Sequence, residues 1–337
     1  MHQLRKPYLL FLGDVRDKLT AKTAFGLKDW CGADVLGEWS LPGCSVTLGL
    51  ERVSPQQAAA RGAGSIVVGI APTGGNLPPH WVAELAAAAD AGLDVVSGLH
   101  TRLTSFPGLV QAAARRGIRL IDVRHSERTY GAASGRKRSG KRVLTVGTDC
   151  ALGKKYTALA LAMSLRRRGA DASFRATGQT GIMISGEGIA MDAIIADFVA
   201  GAAEQLSPDN APDHWDVIEG QGSLFHPAYA GVTLGLLHGS QPDAIVLCHD
   251  PSRRTIDDYP NFPIPDLQVA IDDYLRAGRL TNSAIRCVGL SINSSSLSDA
   301  QCAEYFQRLT EQLKLPVCDP LRTGVDALAA ALLTPPR

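Results

Sequence analysis

The sequence has no excess of charge of either sign: 34 Lys and Arg stand against 33 Asp and Glu, a formal charge of +1 over 337 residues. There is no global field to hold a nucleic acid or an anionic membrane, so any bound anion has to be held by a local site. Paired cysteines are also lacking. The seven present (Cys31, Cys44, Cys150, Cys248, Cys287, Cys302, Cys318) are odd in number, scattered and free of any C-x-x-C pair. Neither a disulfide framework nor a zinc cluster is suggested, and a reducing compartment is the simplest setting. No run approaches the roughly 20 apolar residues of a membrane span, and Tyr8–Leu12 behind Arg5 and Lys6 is too short for a signal-peptide core. A cytoplasmic protein without an anchor is expected. A repeat of about 20–50 residues is missing too, as is the G-x-G-x-x-G spacing of a nicotinamide site.

What is present is ordinary for a globular protein: 45% hydrophobic residues, 20% charged and 34 glycines spread along the chain. At roughly 150 residues per domain the length suggests two domains. Short β-branched or Leu-rich runs alternate with longer alanine-rich amphipathic runs, the pattern of βαβ units and mainly parallel sheets, so the fold class is α/β. In the first part strands are expected at Tyr8–Leu12, Ser65–Ile70, Asp94–Gly98 and Arg119–Val123, with helices near Pro55–Arg61, Pro79–Ala91 and Pro107–Arg116. Ser126–Lys141 then breaks the pattern with glycines and serines, and Arg136–Arg142 carries five basic residues. The expected division is a first domain over 1–130, a basic linker over 131–141 and a second domain over 142–337. In the latter, strands are expected at Val143–Gly147, Ala172–Thr177, Asp216–Glu219, Ala244–His249, Cys287–Ile292 and Pro316–Cys318. Helices are expected near Lys154–Arg168, Met191–Gln205, Leu267–Ala277, Asp299–Leu313 and Gly324–Leu333. The long irregular stretch Asp250–Pro265 is a candidate active-site loop.

The sharpest signal is Val143-Leu-Thr-Val-Gly147-Thr148-Asp149-Cys150-Ala151-Leu152-Gly153-Lys154-Lys155, a β-run entering a glycine-bounded loop that opens a helix. Gly147 and Gly153 let the backbone curl so that successive N–H groups point inward, and the helix N-terminus adds partial positive charge for phosphate oxygens. Lys154 supplies a point charge. The common P-loop is G-x-x-x-x-G-K-[ST], whereas here five residues separate the glycines and Lys155 replaces the Mg²⁺-binding hydroxyl, which Tyr156 and Thr157 do not restore. A second lysine cannot ligate a metal but can bind another phosphate oxygen. The loop Gly147–Tyr156 therefore reads as a diphosphate cradle, and no metal is expected.

Other candidates follow from position. Glu219, at the end of the strand Asp216–Glu219, occupies the edge where ligands bind in such sheets, as a general base in a group transfer or an orienter of a metal-bound water. His226 is a candidate acid or base beside Pro227. Arg175-Ala-Thr177-Gly-Gln179-Thr180-Gly181 would bring a guanidinium, hydroxyls and an amide to the same mouth, with Gln221 beside Glu219. Asp192 ranks below these. In the first domain, Gly69–Asn76 and Gly98-Leu-His100-Thr101-Arg102 follow strands and suit a small polar metabolite.

The loop with its long spacing looks like that of dethiobiotin synthetase. Taken with Arg175–Ile184, Ala196–Gly201, Glu219–Ser223 and His226-Pro-Ala-Tyr229, the chain resembles the D-glutamate N-acetyltransferase family, long filed as a domain of unknown function. The resemblance covers nearly the whole chain and is strongest over Val143–Pro251. It implies a Rossmann-like first domain, a P-loop NTPase-like second domain, and transfer of an acetyl group from acetyl-CoA to the amine of D-glutamate. The D configuration rests on the family alone. On that reading Gly147–Lys155 cradle the CoA phosphates, and Arg102 or Arg175 hold the two carboxylates of glutamate, with His100, Gln179, Thr180 and Gln221 as further substrate contacts. Glu219 or Asp149 takes the amine proton, with His226 behind them. Direct attack is preferred to a covalent route through Cys150. A homo-oligomer is expected, and neither nucleic acid nor membrane as a partner. The alternatives are an ATP- and Mg²⁺-dependent ligase of the dethiobiotin synthetase type, or a nucleotide-binding regulator without turnover.

Overall fold

The computed structural model describes residues 4–125 and 128–334. Residues 126 and 127, which open the expected boundary segment, lie outside them. The chain divides into two compact units, one formed by Met1–Arg128 with Gly178–Ala193, the other by Thr129–Thr177 with Ile194–Arg337.

The first unit alternates β1 (Tyr8–Gly13), α1 (Lys22–Cys31), β2 (Val35–Ser40), α2 (Pro55–Ala60), β3 (Ser65–Val68), α3 (Val82–Asp90), β4 (Asp94–Ser97), α4 (Pro107–Arg116) and β5 (Leu120–Asp122). All five strands are parallel in the order β2-β1-β3-β4-β5. Helices cover both faces of such a sheet, so a central strand has to be apolar throughout; Tyr8–Leu12 is buried at every position. Pro55 opens α2 behind Ser54, whose side chain and that of Gln57 form a reciprocal capping box. The expected strands and helices are all here. The sequence reading missed β2 and α1, because Gly37 and Glu38 interrupt the apolar run of β2 and Gly26 and Lys28 sit inside α1.

The second unit contains β6 (Lys141–Gly147), α5 (Lys154–Arg167), β7 (Ala172–Arg175), α7 (Val199–Leu206), β8 (Trp215–Ile218), α8 (Ala230–Ser240) and β9 (Ala244–His249), while α6 (Gln179–Ser185), which lies between β7 and α7 in the chain, clusters with the first unit. It continues with a hairpin of β10 (Thr255–Ile256) and β11 (Tyr259–Pro263), α9 (Leu267–Arg279), β12 (Arg286–Ile292), α10 (Asp299–Leu313), β13 (Val317–Cys318) and α11 (Asp326–Leu333). The sheet is parallel in the order β13-β12-β9-β6-β8-β7. Its central strand β6 therefore has β9 on one side and β8 on the other, and ligands bind at the carboxyl ends of strands at such a point. Gly147 ends β6 there.

Two expected elements differ. The helix expected over Met191–Gln205 is two short 3₁₀ turns followed by α7, since Ile194, Ile195 and the residues around them do not keep a helical period. The irregular stretch Asp250–Pro265 contains the hairpin β10–β11.

The basic segment is built into the second unit. The Arg138 guanidinium donates to the carbonyls of Ser207 at 2.7 Å and Gly239 at 2.7 Å. Arg142, wholly buried, donates to the carbonyls of Arg138, Ser139, Gly140, Ser207 and Pro208 at 3.0–3.2 Å. Of these, the carbonyls of Ser207, Pro208 and Gly239 lie at the C-terminal ends of α7 and α8, where a helix leaves carbonyls unpaired and a cation satisfies them well. No helix among the described residues is long and apolar enough to cross a membrane.

Candidate active site

The base of the phosphate loop is fixed from below. The Tyr274 hydroxyl donates to the Gly147 carbonyl at 2.8 Å and the Ser223 hydroxyl donates to the same oxygen at 2.9 Å. Tyr274 is fully buried, and that burial pushes its phenol up to about 12. The Thr148 amide donates to Cys248 O at 3.1 Å, and the Thr148 hydroxyl lies 3.0 Å from His249 Nδ1. Above this base the chain turns with Ala151 at φ 53° and Gly153 at φ +102°, the second a conformation glycine adopts without strain. Helix α5 starts at Lys154, whose ammonium folds back and donates to Asp149 O at 2.7 Å. The Lys155 ammonium lies over the Tyr156 ring at 5.2 Å. The Thr157 hydroxyl is turned inward, donating to Gly153 O at 3.0 Å and meeting Ser291 Oγ at 2.7 Å, so it does not stand in for the hydroxyl that Lys155 replaces.

Glu219 directly follows β8 and is buried. Its Oε2 accepts the Thr177 amide at 2.9 Å, and the Thr177 hydroxyl donates to the Glu219 carbonyl at 2.6 Å. Gln221 donates through Nε2 to that same hydroxyl at 3.0 Å. Close approach explains Gly220: a Cβ there would lie 1.7 Å from the Thr145 carbonyl oxygen. Asp149 is wholly buried, and both its oxygens are engaged. Oδ1 accepts the Cys150 amide at 2.6 Å, while Oδ2 accepts the Asp257 amide at 2.9 Å and the Arg253 guanidinium.

Among the described residues, Asp149, Cys150 and His226 form the one group of three metal-ligating side chains whose donor atoms all lie within 4.8 Å of one another. The Asp149 carboxylate of that group already pairs with Arg253 through Oδ2. The His226 ring packs against Tyr229 at 4.4 Å and Tyr259 at 5.1 Å between centroids, and Tyr259 against Phe262 at 6.0 Å. Burial holds the His226 pKa below its usual value.

Two residues at this edge were missed by the sequence reading. His249 ends β9 and is pushed down to about 4, chiefly by burial. Arg253 reaches from the loop after β9 to Asp149 and also donates to Cys150 O at 3.0 Å. The signal available in the sequence was their place in or just before the candidate loop Asp250–Pro265, at a strand's carboxyl end.

The remaining candidates separate. Arg175 ends β7 with its Nε donating to the buried Asp216 at 2.7 Å, an ion pair between adjacent strands. His100, Gln179 and Thr180 belong to the first unit. There the Thr180 hydroxyl lies 3.0 Å from that of Thr23, and Gln179 packs so closely on Gly98 that a Cβ there would be 2.1 Å from Oε1. The Arg124 guanidinium, also missed by the sequence reading, donates to Gly98 O at 2.7 Å and pairs with Asp192. Burial, followed by the charge of Arg124, pushes the His100 pKa down. Arg102 is exposed.

Fold and site define an α/β protein with a Rossmann-like unit and a P-loop unit whose loop carries a lysine pair. The chain belongs to the DUF1611 family: the C-terminal P-loop domain of unknown function matches residues 129–329 and the N-terminal Rossmann-like domain matches residues 39–126. The chain is 47% identical over 330 residues to a protein of a Pseudoalteromonas species named D-glutamate N-acetyltransferase, covering 98% of this chain and 99% of that one. It is 46% identical over 331 residues to a protein of the same name from Tritonibacter scottomollicae, covering 97% and 99%. The crystal structure of a DUF1611 family protein from Anabaena variabilis superposes with a TM-score of 0.86 at 33% identity, covering 97% of this chain and 99% of that one.

Proposed function

We propose that this chain transfers an acetyl group to the amine of D-glutamate, with acetyl-CoA as donor and the phosphate loop holding the CoA phosphates. The observation that carries the reading is the near full-length identity of 47% to an enzyme named for that transfer. The loop supports the choice of donor. It offers two adjacent lysines to a diphosphate, and acetyl transfer from a thioester needs no Mg²⁺ where Lys155 has replaced the hydroxyl.

In this reading Lys154 leaves its contact with the Asp149 carbonyl and turns to phosphate, and Lys155 adds the second charge. The ammonium of D-glutamate has to lose a proton before its nitrogen attacks, and Glu219 takes it. Asp149 is the other candidate base; its oxygens hold Arg253 and two backbone amides, and Glu219 Oε2 accepts the Thr177 amide. A guanidinium answers the carboxylates of the substrate. Arg102 and Arg175 are the candidates, with Arg102 the more accessible since Arg175 is tied to Asp216. His100, Gln179, Thr180 and Gln221 stay as candidate polar contacts.

Thermal unfolding with and without ligands tests the donor. Acetyl-CoA at saturating concentration raises the melting temperature by mass action, and Lys154→Met removes the rise. Stabilisation by ATP with Mg²⁺ but not by acetyl-CoA would overturn the reading.

A further inference from the structure

We infer that the first unit holds the amino-acid end of D-glutamate at Gly98: Arg124 donates to the carboxylate on the nitrogen-bearing carbon, and Gln179 Oε1 accepts an N–H from the nitrogen. The inference rests on the acetyl-transfer reading above and names the residues that bind its acceptor substrate.

The place is set by the sheet. Gly98 directly follows β4, which lies between β3 and β5, at the carboxyl edge where parallel sheets bind ligands. Three turns meet there. The His100 amide, after β4, donates to Gly75 O in the turn after β3 at 2.8 Å, and His125, after β5, brings Nε2 to 2.9 Å from His100 O. Arg124 precedes His125, and its Nε donates to Gly98 O at 2.7 Å. Gln179 lies along Gly98 so closely that a Cβ there would stand 2.1 Å from Oε1 and 2.5 Å from the Gln179 Cβ, so only glycine leaves room for it. Gly98, Arg124, Gln179 and Asp192 all belong to the first unit.

Two strong hydrogen-bonding groups have no use here within the protein. Gln179 is 7% exposed, and its buried Oε1 meets no donor among the described residues. A buried carbonyl in that state is costly, and such groups are rare unless something outside the chain completes them. Arg124 is equally buried. Gly98 O holds its Nε and Asp192 holds Nη1, while Nη2 meets no acceptor among the described residues. Two bonds fix the plane of the guanidinium, and the third nitrogen is left for an anion.

An open acceptor and an open cationic donor on either side of one glycine are the complement of an α-amino acid, which carries an N–H donor and a carboxylate on the same carbon. Phosphate, or a dicarboxylate without nitrogen, would satisfy Arg124 and leave Gln179 Oε1 unpaired. Asp192 beside the guanidinium adds negative charge that favours an arriving ammonium. Once that ammonium has lost a proton, the amine still donates an N–H to Oε1 and keeps its lone pair free to attack. Glutamate has a second carboxylate, which is left to the guanidinium candidates named above.

Steady-state acetylation by the full-length enzyme tests this with Arg124→Lys and Gln179→Leu, each read against both substrates. Arg124→Lys keeps the charge and a partner for Asp192 but loses the fork. Its KM for D-glutamate is expected to rise about 10- to 100-fold, with the KM for acetyl-CoA unchanged. Gln179→Leu removes the unpaired acceptor at similar volume. Its melting temperature without substrate is expected to hold or rise while the KM for D-glutamate rises about tenfold. A merely structural glutamine predicts the reverse, a lower melting temperature and an unmoved KM. Should Arg124→Lys fail to fold, Gln179→Leu decides alone. An active wild type with an unmoved KM for D-glutamate in either folded variant would overturn the inference and leave the acetyl-transfer reading standing. A wild type that acetylates no D-glutamate would sink that reading and the inference with it, a result visible before any variant is made.

Discussion

Arg253 is closed on the carboxylate of Asp149: the guanidinium side chain is 17% exposed, the carboxylate not at all, and a second bond runs from the same nitrogen to Cys150 O at 3.0 Å. The pair ties the loop after β9 to the turn of the phosphate loop. Removing one partner strands a buried charge, which costs about 3–5 kcal/mol. Arg253→Met is expected to lower the unfolding free energy read from urea titration by an amount of that order and to weaken acetyl-CoA binding. Arg253→Met with Asp149→Asn should recover most of the stability, and a double variant as unstable as the single one would contradict the pairing.

Arg142 belongs to the frame and not to a phosphate site. Arg142→Met takes a donor from five carbonyls, of which Ser207 O keeps Arg138 Nε and Ser139 O keeps the Asn210 amide, and each buried group left unpaired costs about 1–3 kcal/mol. A marked fall in melting temperature is expected, with the KM for acetyl-CoA unchanged in the protein that remains folded. A raised KM at undiminished stability would contradict this and place Arg142 at the phosphates.

Gly220→Ala drives a methyl group into the Thr145 carbonyl at 1.7 Å and lies 3.1 Å from Lys154 Cδ. The obstacle is backbone, so relief has to come from moving β6 or the turn after β8. A destabilisation of about 1–3 kcal/mol or more is expected, with loss of acetylation, both read by denaturant unfolding and turnover. A variant as stable as wild type would show that the approach is looser than described.

His249 gives the fold a pH dependence with a definite sign. Its folded pKa of about 4 lies below the value near 6.5 of an exposed histidine. The unfolded chain therefore binds the extra proton between those values, and stability falls as pH drops from about 6.5 to about 4, by about 1.4 kcal/mol per pH unit at most. Above about 6.5 the contribution is constant. His249→Gln should flatten that part of the curve relative to wild type; parallel curves would show that His249 titrates normally.

How much of this was legible in the sequence depended on whether a feature was local. The strand, loop and helix of Gly147–Lys154 are contiguous, and turn, glycine and lysine chemistry set them without reference to the rest of the chain. The apolar strands were legible because parallel sheets bury both faces, as at Leu9–Leu12. β2 was not, because Gly37 and Glu38 sit where an apolar run is needed: Gly37 leaves room for Glu51 O, 2.6 Å from where its Cβ would be, and Glu38 holds Thr47 and the Leu48 amide. The hairpin β10–β11 has only two residues in one strand and no apolar alternation to announce it. In the site, Glu219 was reached from its place at a strand end. The Arg253–Asp149 pair spans 104 residues, and nothing local marks either partner as belonging to the other. Arg175 illustrates the converse, since its place at a strand end left open both an outward-facing guanidinium and the pairing with Asp216 across the sheet.

Product analysis by mass spectrometry tests the central claim most directly. The chain is incubated with acetyl-CoA and D-glutamate, in parallel with L-glutamate, and with ATP and Mg²⁺ replacing acetyl-CoA. The account predicts a product heavier by one acetyl group in the D-glutamate reaction alone. ADP in the nucleotide reaction with no acetylated amino acid in any other would contradict it.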